Sequence, residues 1–360
     1  MKLPIITDSA GRTSIEAVPQ LAWGKGRECT FAGALEAAFS VTNTPFSYDD
    51  LMGWSGLAFR VRWFLGQGEE TPHWSASSPV GELAEEFAAL RRATGYELLT
   101  AVPAAEGDAR AEEFSAHIAA EIRSGRPVLA YDPTLNMGVI YGFDNEGRIV
   151  LMRGYMSDEP TLRMPASQLG PFLCFLGAPS PALSPRDALL DGLRLGVETW
   201  HHGFTPGTEG RYWLGHAALL KWREDLERAG SLCFDEKRLL FFVNWWVFDC
   251  LTDARANAER FLRRHTALLS GSPHRHLVAA TAAYADEVRL LRTTVADKQM
   301  FLGPWTGKEL QHWSSAVRER EIAFLGRIIS AEAEAMGELE NLLEAAAIPL
   351  RCSAAAGVND

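Results

Sequence analysis

The sequence predicts an α+β protein in two parts: helices and antiparallel strands over residues 1–178, then a helical bundle over residues 184–350. Three observations carry this. Early apolar residues recur at helical spacing. Two apolar runs around a turn between Pro127 and Met152 have the composition of buried strands. After a Pro-, Ser- and Ala-rich stretch from Gly177 to Pro185, the periodicity is helical throughout.

In chain order, residues 1–22 alternate short apolar stretches with Pro and Gly, as an extended lead-in does. Phe31, Leu35, Ala38 and Phe39 then mark a helix that starts at Cys29 and ends near Thr42–Pro45. Ser47 caps a short helix that runs into the turn Gly53-Trp54-Ser55-Gly56, and Leu57–Phe64 is expected as a strand. Polar residues from Gly66 to Ser78, with His73 and Trp74, predict a loop or lid before a helix over 80–94. A further helix over 111–124 is stopped by Gly125 and Pro127. Strands at 127–131 and 137–143 follow, and the turn Asp144–Gly147 closes a hairpin with 148–152. In the second part, Ser184-Pro185 starts a helix with Leu189, Leu193, Val197 and Trp200 on one face, ended by a loop from Gly203 to Gly210. Further helices are expected at about 212–229, 236–269, 275–297 and 307–347, with no internal repeat of fixed period. Most of the 11 tryptophans fall at core spacing.

The 360 residues supply ample core for two domains. A net charge of −11 argues against nucleic acid or an anionic membrane as the main partner. Five cysteines, at 29, 174, 233, 250 and 352, lack CxxC or zinc-ligand spacing, so neither a disulfide framework nor a structural metal is indicated. The start lacks a signal-peptide pattern, and the most apolar run, Leu239 to Phe248, is too short to span a bilayer. The expectation is a soluble cytoplasmic protein of bacterial type.

Cys29 is the candidate nucleophile. A polar turn, Gly26-Arg27-Glu28, delivers it to the first turn of an apolar helix, where unpaired N–H groups and the helix dipole favour thiolate and could hold an oxyanion. Glu28 opposes that effect by like charge, and Lys25 and Arg27 partly offset it. Equally, a free cysteine at a helix start is commonly a small buried hydrophobe.

The order of elements, with Gly-Arg-Pro-Val-Leu-Ala-Tyr-Asp (125–132) and Gly-Val-Ile-Tyr-Gly-Phe-Asp-Asn-Glu-Gly (138–147), resembles the papain-like fold of bacteriocin-processing cysteine peptidases. It resembles still more closely the N-terminal domain of butirosin biosynthesis protein H-like proteins, in which that fold serves acyl transfer. The resemblance covers about residues 20–180. It implies a histidine base at the position held here by Asn136, an orienting Asp or Asn near Met152-Arg153-Gly154, and an oxyanion-helper Gln at the position of Trp23, with Gln20 out of register. Asn136 can hydrogen-bond a ligand but cannot take a proton from the thiol.

Nine histidines remain as alternative bases, of which His73, in the proposed lid, is the first candidate; His201 and His216 are others. His201-His202 lacks an i,i+4 ligand set, so no metal site is expected, and no cofactor is implied. Trp54, on a Gly-flanked turn, is a candidate pocket wall, and Arg60 with Arg62 could bind a carboxylate or phosphate or serve in ion pairs. The expected function is a catalytically degenerate papain-like protein, a pseudoenzyme. It would bind a small acyl or peptide-like ligand in a cleft lined by Cys29, Trp54, Tyr131, Asn136 and Arg60. The alternatives are a thiol acyltransferase or amide hydrolase forming a thioester on Cys29, with a possible carrier-protein partner, and a scaffolding protein. A homodimer through the helical part is also expected.

Overall fold

The computed structural model describes residues 5–64, 84–104, 108–134, 136–155, 159–170, 172–203, 212–303 and 308–350. In chain order the elements begin with β1 (Ile5–Thr7), β2 (Thr13–Ile15), α1 (Thr30–Ser40), α2 (Tyr48–Trp54), β3 (Arg62–Trp63), α3 (Ala84–Thr94), β4 (Tyr96–Ala101) and α4 (Ala111–Arg123). They continue with β5 (Val128–Tyr131), β6 (Met137–Asp144), β7 (Ile149–Arg153), β8 (Leu162–Pro165) and β9 (Leu173–Pro179). The rest is helical apart from one short strand: α5 (Pro185–His202), β10 (Trp213–Leu214), α6 (Gly215–Arg228), α7 (Phe234–His265), α8 (Gly271–Asp297) and α9 (Ser315–Ala345).

The protein thus combines helices with antiparallel sheet, the sheet early and the long helices late. It divides into two compact units, one of Met1–Leu51 with Leu90–Leu183, the other of Met52–Ala89 with Ser184–Asp360. The division at 183/184 falls in the Pro-rich stretch, but the expected first domain, 1–178, differs from the observed unit. Residues 52–89 belong with the late helices.

In the sheet unit the strand order is β1-β2-β6-β5-β9-β4, with β7 and β8 branching from β6, and every pairing is antiparallel. β5 and β6 pair with Tyr131 opposite Met137, and beyond that pair the Asp132 N–H donates to the Asn136 carbonyl at 2.9 Å. Neither strand alternates in burial, so both of their faces are covered; α1 and α4 both pack on them. The expected 137–152 hairpin is present, turned by a 3-10 segment at Asn145–Gly147. β4, β8 and β9 are additional to the expected strands.

In the helical unit, residues 57–64 are not the expected strand: only Arg62–Trp63 pair, with Leu214–Trp213. Leu57, Ala58, Phe59, Val61 and Trp63 are all buried. A run covered on every side needs no period of two, and its apolar composition mimicked a strand. The last helix begins at Ser315 rather than 307, after a 3-10 turn at Leu310–His312. α5 starts as expected: Ser184 Oγ accepts the Asp187 N–H at 3.1 Å, and Pro185 fills the first turn. Ser184→Ala should therefore lower stability by about 1 kcal/mol, read as a lower thermal midpoint in far-UV circular dichroism. No described helix is long and apolar enough to cross a membrane.

Candidate functional site

Gly24 and Gly26, at φ +69° and +70°, form the turn that leads to Cys29; a side chain at either would be strained. Glu28 folds back to accept the Gly24 N–H at 3.1 Å. Cys29 is the N-cap of α1, in extended conformation (φ −79°, ψ 97°), with its carbonyl accepting the Gly33 N–H at 3.0 Å. Its side chain is 1 % exposed.

The surroundings of α1 differ from those of an activated thiol in two respects. The Cys29 N–H, one of the backbone donors at the helix start, donates to Tyr48 Oη at 2.9 Å. Arg27, expected to offset Glu28, is committed to Glu36: its Nε forms a short contact with Oε2 and its Nη2 donates to Oε1 at 3.1 Å. Glu36 Oε1 also accepts the Tyr48 N–H at 3.0 Å, so one carboxylate fixes both the arginine and the tyrosine that holds Cys29. On the same helix Gly33 is required, because a Cβ there would lie 1.7 Å from Tyr155 Oη. The Tyr155 ring in turn packs on Trp23, at 5.4 Å between centroids.

The start of α1 meets the start of β6. The Met137 N–H donates to Thr30 Oγ1 at 3.2 Å, a buried bond between residues 107 apart in sequence. Cys29 and Asn136 are the preceding residues on the two sides of that bond. Asn136 is held by its own turn: its N–H donates to Asp132 Oδ1 at 3.1 Å, and Nδ2 donates to Thr134 Oγ1 at 3.0 Å. Asp132 is buried, and its Oδ1 also accepts the Thr134 N–H at 2.8 Å and the Thr134 hydroxyl at 2.6 Å. Tyr131 is buried edge-on against Phe172, 5.0 Å between centroids, and its carbonyl accepts the Gly170 N–H.

Cys29, Asn136 and Tyr131 therefore share one unit, while Trp54 and Arg60 belong to the other. Trp54 is buried there. Arg60 forms an ion pair with Glu86 at 2.9 Å and is only 6 % exposed, which spends its guanidinium within the protein. His73 lies outside the described residues. The other eight histidines are engaged within the protein: His201 Nε2 with Glu340 at 2.7 Å, His202 with the Glu198 carbonyl, His216 against Trp200, His117 stacked on Phe175, His265 against Phe261, His274 with the Thr266 carbonyl, His276 with Glu338 at 2.8 Å and His312 with the Glu309 carbonyl. Among the described residues no group of three or more His, Cys, Asp or Glu could hold a metal ion. Cys174, on β9, is an ordinary core thiol whose pKa burial pushes up to about 12.

Sequence reasoning missed Tyr48, Glu36 and Asp132. Tyr48 fell within the capped segment after Ser47, and Glu36 lies outside the apolar positions that marked the helix. Asp132-Pro133 was a readable turn signal whose carboxylate organises the segment presenting Asn136. No protein-family model matches the chain, and no curated protein matches it in sequence.

Proposed function

We propose that the sheet unit is a papain-like domain that has given up thiol catalysis and binds a small acyl or peptide-like group at the edge formed by Cys29, Asn136 and Tyr131. The observation that carries this reading is the Met137–Thr30 bond, which joins the start of the cysteine helix to the start of the strand that follows Asn136, the position at which the resemblance implies a base. The donation of the Cys29 N–H to Tyr48 supports loss of turnover, since one oxyanion donor is already used. Asn136 offers a carbonyl and an amide to a ligand but no proton acceptor of useful basicity. An acyl group carried on a partner protein is one source of such a ligand. The scaffolding alternative rests on the 1 % exposure of Cys29.

Thiol chemistry tests the reading. With Cys352 and the exposed Cys233 changed to Ser, the protein is treated with iodoacetamide across pH and, separately, with N-acetylcysteamine thioesters, each followed by intact mass. The expected results are slow Cys29 alkylation with no enhanced reactivity below neutral pH, no acyl adduct, and thioester binding by saturation-transfer NMR that Asn136→Ala weakens. A stable or transient acyl adduct on Cys29 would move the protein to the acyltransferase reading. Absence of any binding would leave the scaffolding one.

A further inference from the structure

Three long helices of the second unit meet around four polar side chains with no solvent exposure: Arg255 on α7, Tyr284 and Glu287 on α8, and Glu332 on α9. Arg255 is spoken for on two sides. Its Nη1 donates to the carbonyls of Ala58 at 2.9 Å and Arg60 at 3.1 Å, and its Nε forms a short ion pair with Glu332 Oε1. Glu287 Oε1 stands 3.9 Å from the same Nε, too far for a hydrogen bond.

The charges of this buried cluster therefore do not balance: one guanidinium faces two carboxyl groups. Both oxygens of Glu287 and Oε2 of Glu332 lack a hydrogen-bond partner, and the two remaining donors of the cluster, Arg255 Nη2 and the Tyr284 hydroxyl, form no hydrogen bond to them; the Glu287 and Glu332 carboxyls instead lie close enough to interact with each other. Between two ionised carboxylates that contact has no hydrogen to share. One added proton supplies it, and it also balances the charge: one guanidinium against two carboxylates leaves a net negative charge in a fully dry site, and desolvating an uncompensated charge costs several kcal/mol.

We propose that Glu287 is a neutral carboxylic acid sharing its proton with Glu332, so that acid, carboxylate and Arg255 form a neutral, proton-locked junction tying α7, α8 and α9 to the 58–60 segment. The groups facing Glu287 are Arg255 from α7, Glu332 from α9 and Tyr284 from its own helix; the 58–60 segment presents carbonyls, its Arg60 side chain being committed to Glu86. Burial first, and the Glu332 charge second, raise the Glu287 pKa well above the usual carboxylate range, with Arg255 opposing. Burial likewise keeps Tyr284 a neutral phenol.

The sign of the linkage follows. The unfolded chain loses this proton near about pH 4.3, the folded one only at much higher pH. Between those values folding takes up one proton, so stability is fully present at low pH and falls as pH rises through the window.

Urea unfolding of the full chain from mildly acidic to mildly alkaline pH, compared with Glu287→Gln, tests this. Gln keeps the size and supplies the donor to Glu332 without titrating. The variant should fold, resist urea better than wild type at the alkaline end, and lose one proton from the pH dependence, a tenfold change in the folding constant for each pH unit of the window. Its infrared spectrum at neutral pH should lack one protonated-carboxyl C=O band that wild type shows. Glu321, whose pKa burial raises to about 7, is present in both proteins and cancels. A variant with the wild-type pH slope and band would overturn the proposal. So would one that fails to fold, since the neutral isostere should satisfy the junction.

Discussion

Arg255→Leu should be among the most damaging single substitutions in the helical unit, costing about 3–5 kcal/mol and showing as a large drop in both thermal and urea midpoints. The side chain has no exposure and bonds three groups at once: Glu332 on α9 through Nε, and the Ala58 and Arg60 carbonyls through Nη1. Leucine fills much of the volume but leaves a carboxylate without its counter-ion and two backbone acceptors without a donor. Arg255→Lys should be only partly rescuing, because an ammonium on a flexible stem cannot reproduce the forked geometry that reaches carboxylate and carbonyls together. Combining Arg255→Leu with Glu287→Leu and Glu332→Leu removes the charges and should recover much of the loss, though not the two carbonyls' share. A loss below about 1 kcal/mol for Arg255→Leu alone would mean that water reaches the junction and the site is not dry.

That junction was invisible in the sequence, and the reason is physical. Arg255, Glu287 and Glu332 each lie on a long helix among other charged residues, where a charge is ordinarily solvated, and nothing in a 3.6-residue period distinguishes a glutamate that faces another helix. What periodicity does report, it reported well: the helices over 111–123 and 185–202, the three long late helices, and the hairpin around Asn145–Gly147 all follow from local pattern and turn chemistry. Residues 52–63 defeated it because complete burial erases alternation, and an apolar run does not say which unit it joins. β9 was hidden for a related cause: Leu173–Leu176 is buried throughout and sits between β5 and β4, pairings fixed by residues far away in sequence. At the candidate site, the position of Cys29 at the start of α1 was legible. The use of its N–H by Tyr48 was not, since that bond joins two helix starts 19 residues apart.

Trp222→Ala should cost about 3–5 kcal/mol from the cavity alone. The indole is fully buried, stacked on Trp63 with centroids 5.4 Å apart and planes 14° apart, and edge-on to Phe301 at 5.8 Å. It also heads a hydrogen-bonded relay. Its Nε1 donates to Asn244 Oδ1 at 2.7 Å, Asn244 Nδ2 donates to Glu321 Oε2 at 3.1 Å, and Trp313 Nε1 donates to the same oxygen at 2.8 Å. Trp222→Phe separates the two contributions: the ring contacts persist, while Asn244 loses the donor that fixes which way its amide points, for about 1–3 kcal/mol. The relay gives this variant a distinctive pH signature. Burial raises Glu321 to about pH 7 against the pull of its donors, Trp313, the Phe301 N–H and Asn244. Its contribution is therefore fully present at low pH and is lost as pH rises from about 4.3 through about 7. An Asn244 amide free to turn its oxygen toward Glu321 removes one donor, which raises that carboxyl further and extends the loss of stability to higher pH. Urea midpoints for Trp222→Phe against pH should therefore diverge from wild type above neutrality. A parallel offset at every pH would show that Asn244 keeps its orientation without the indole.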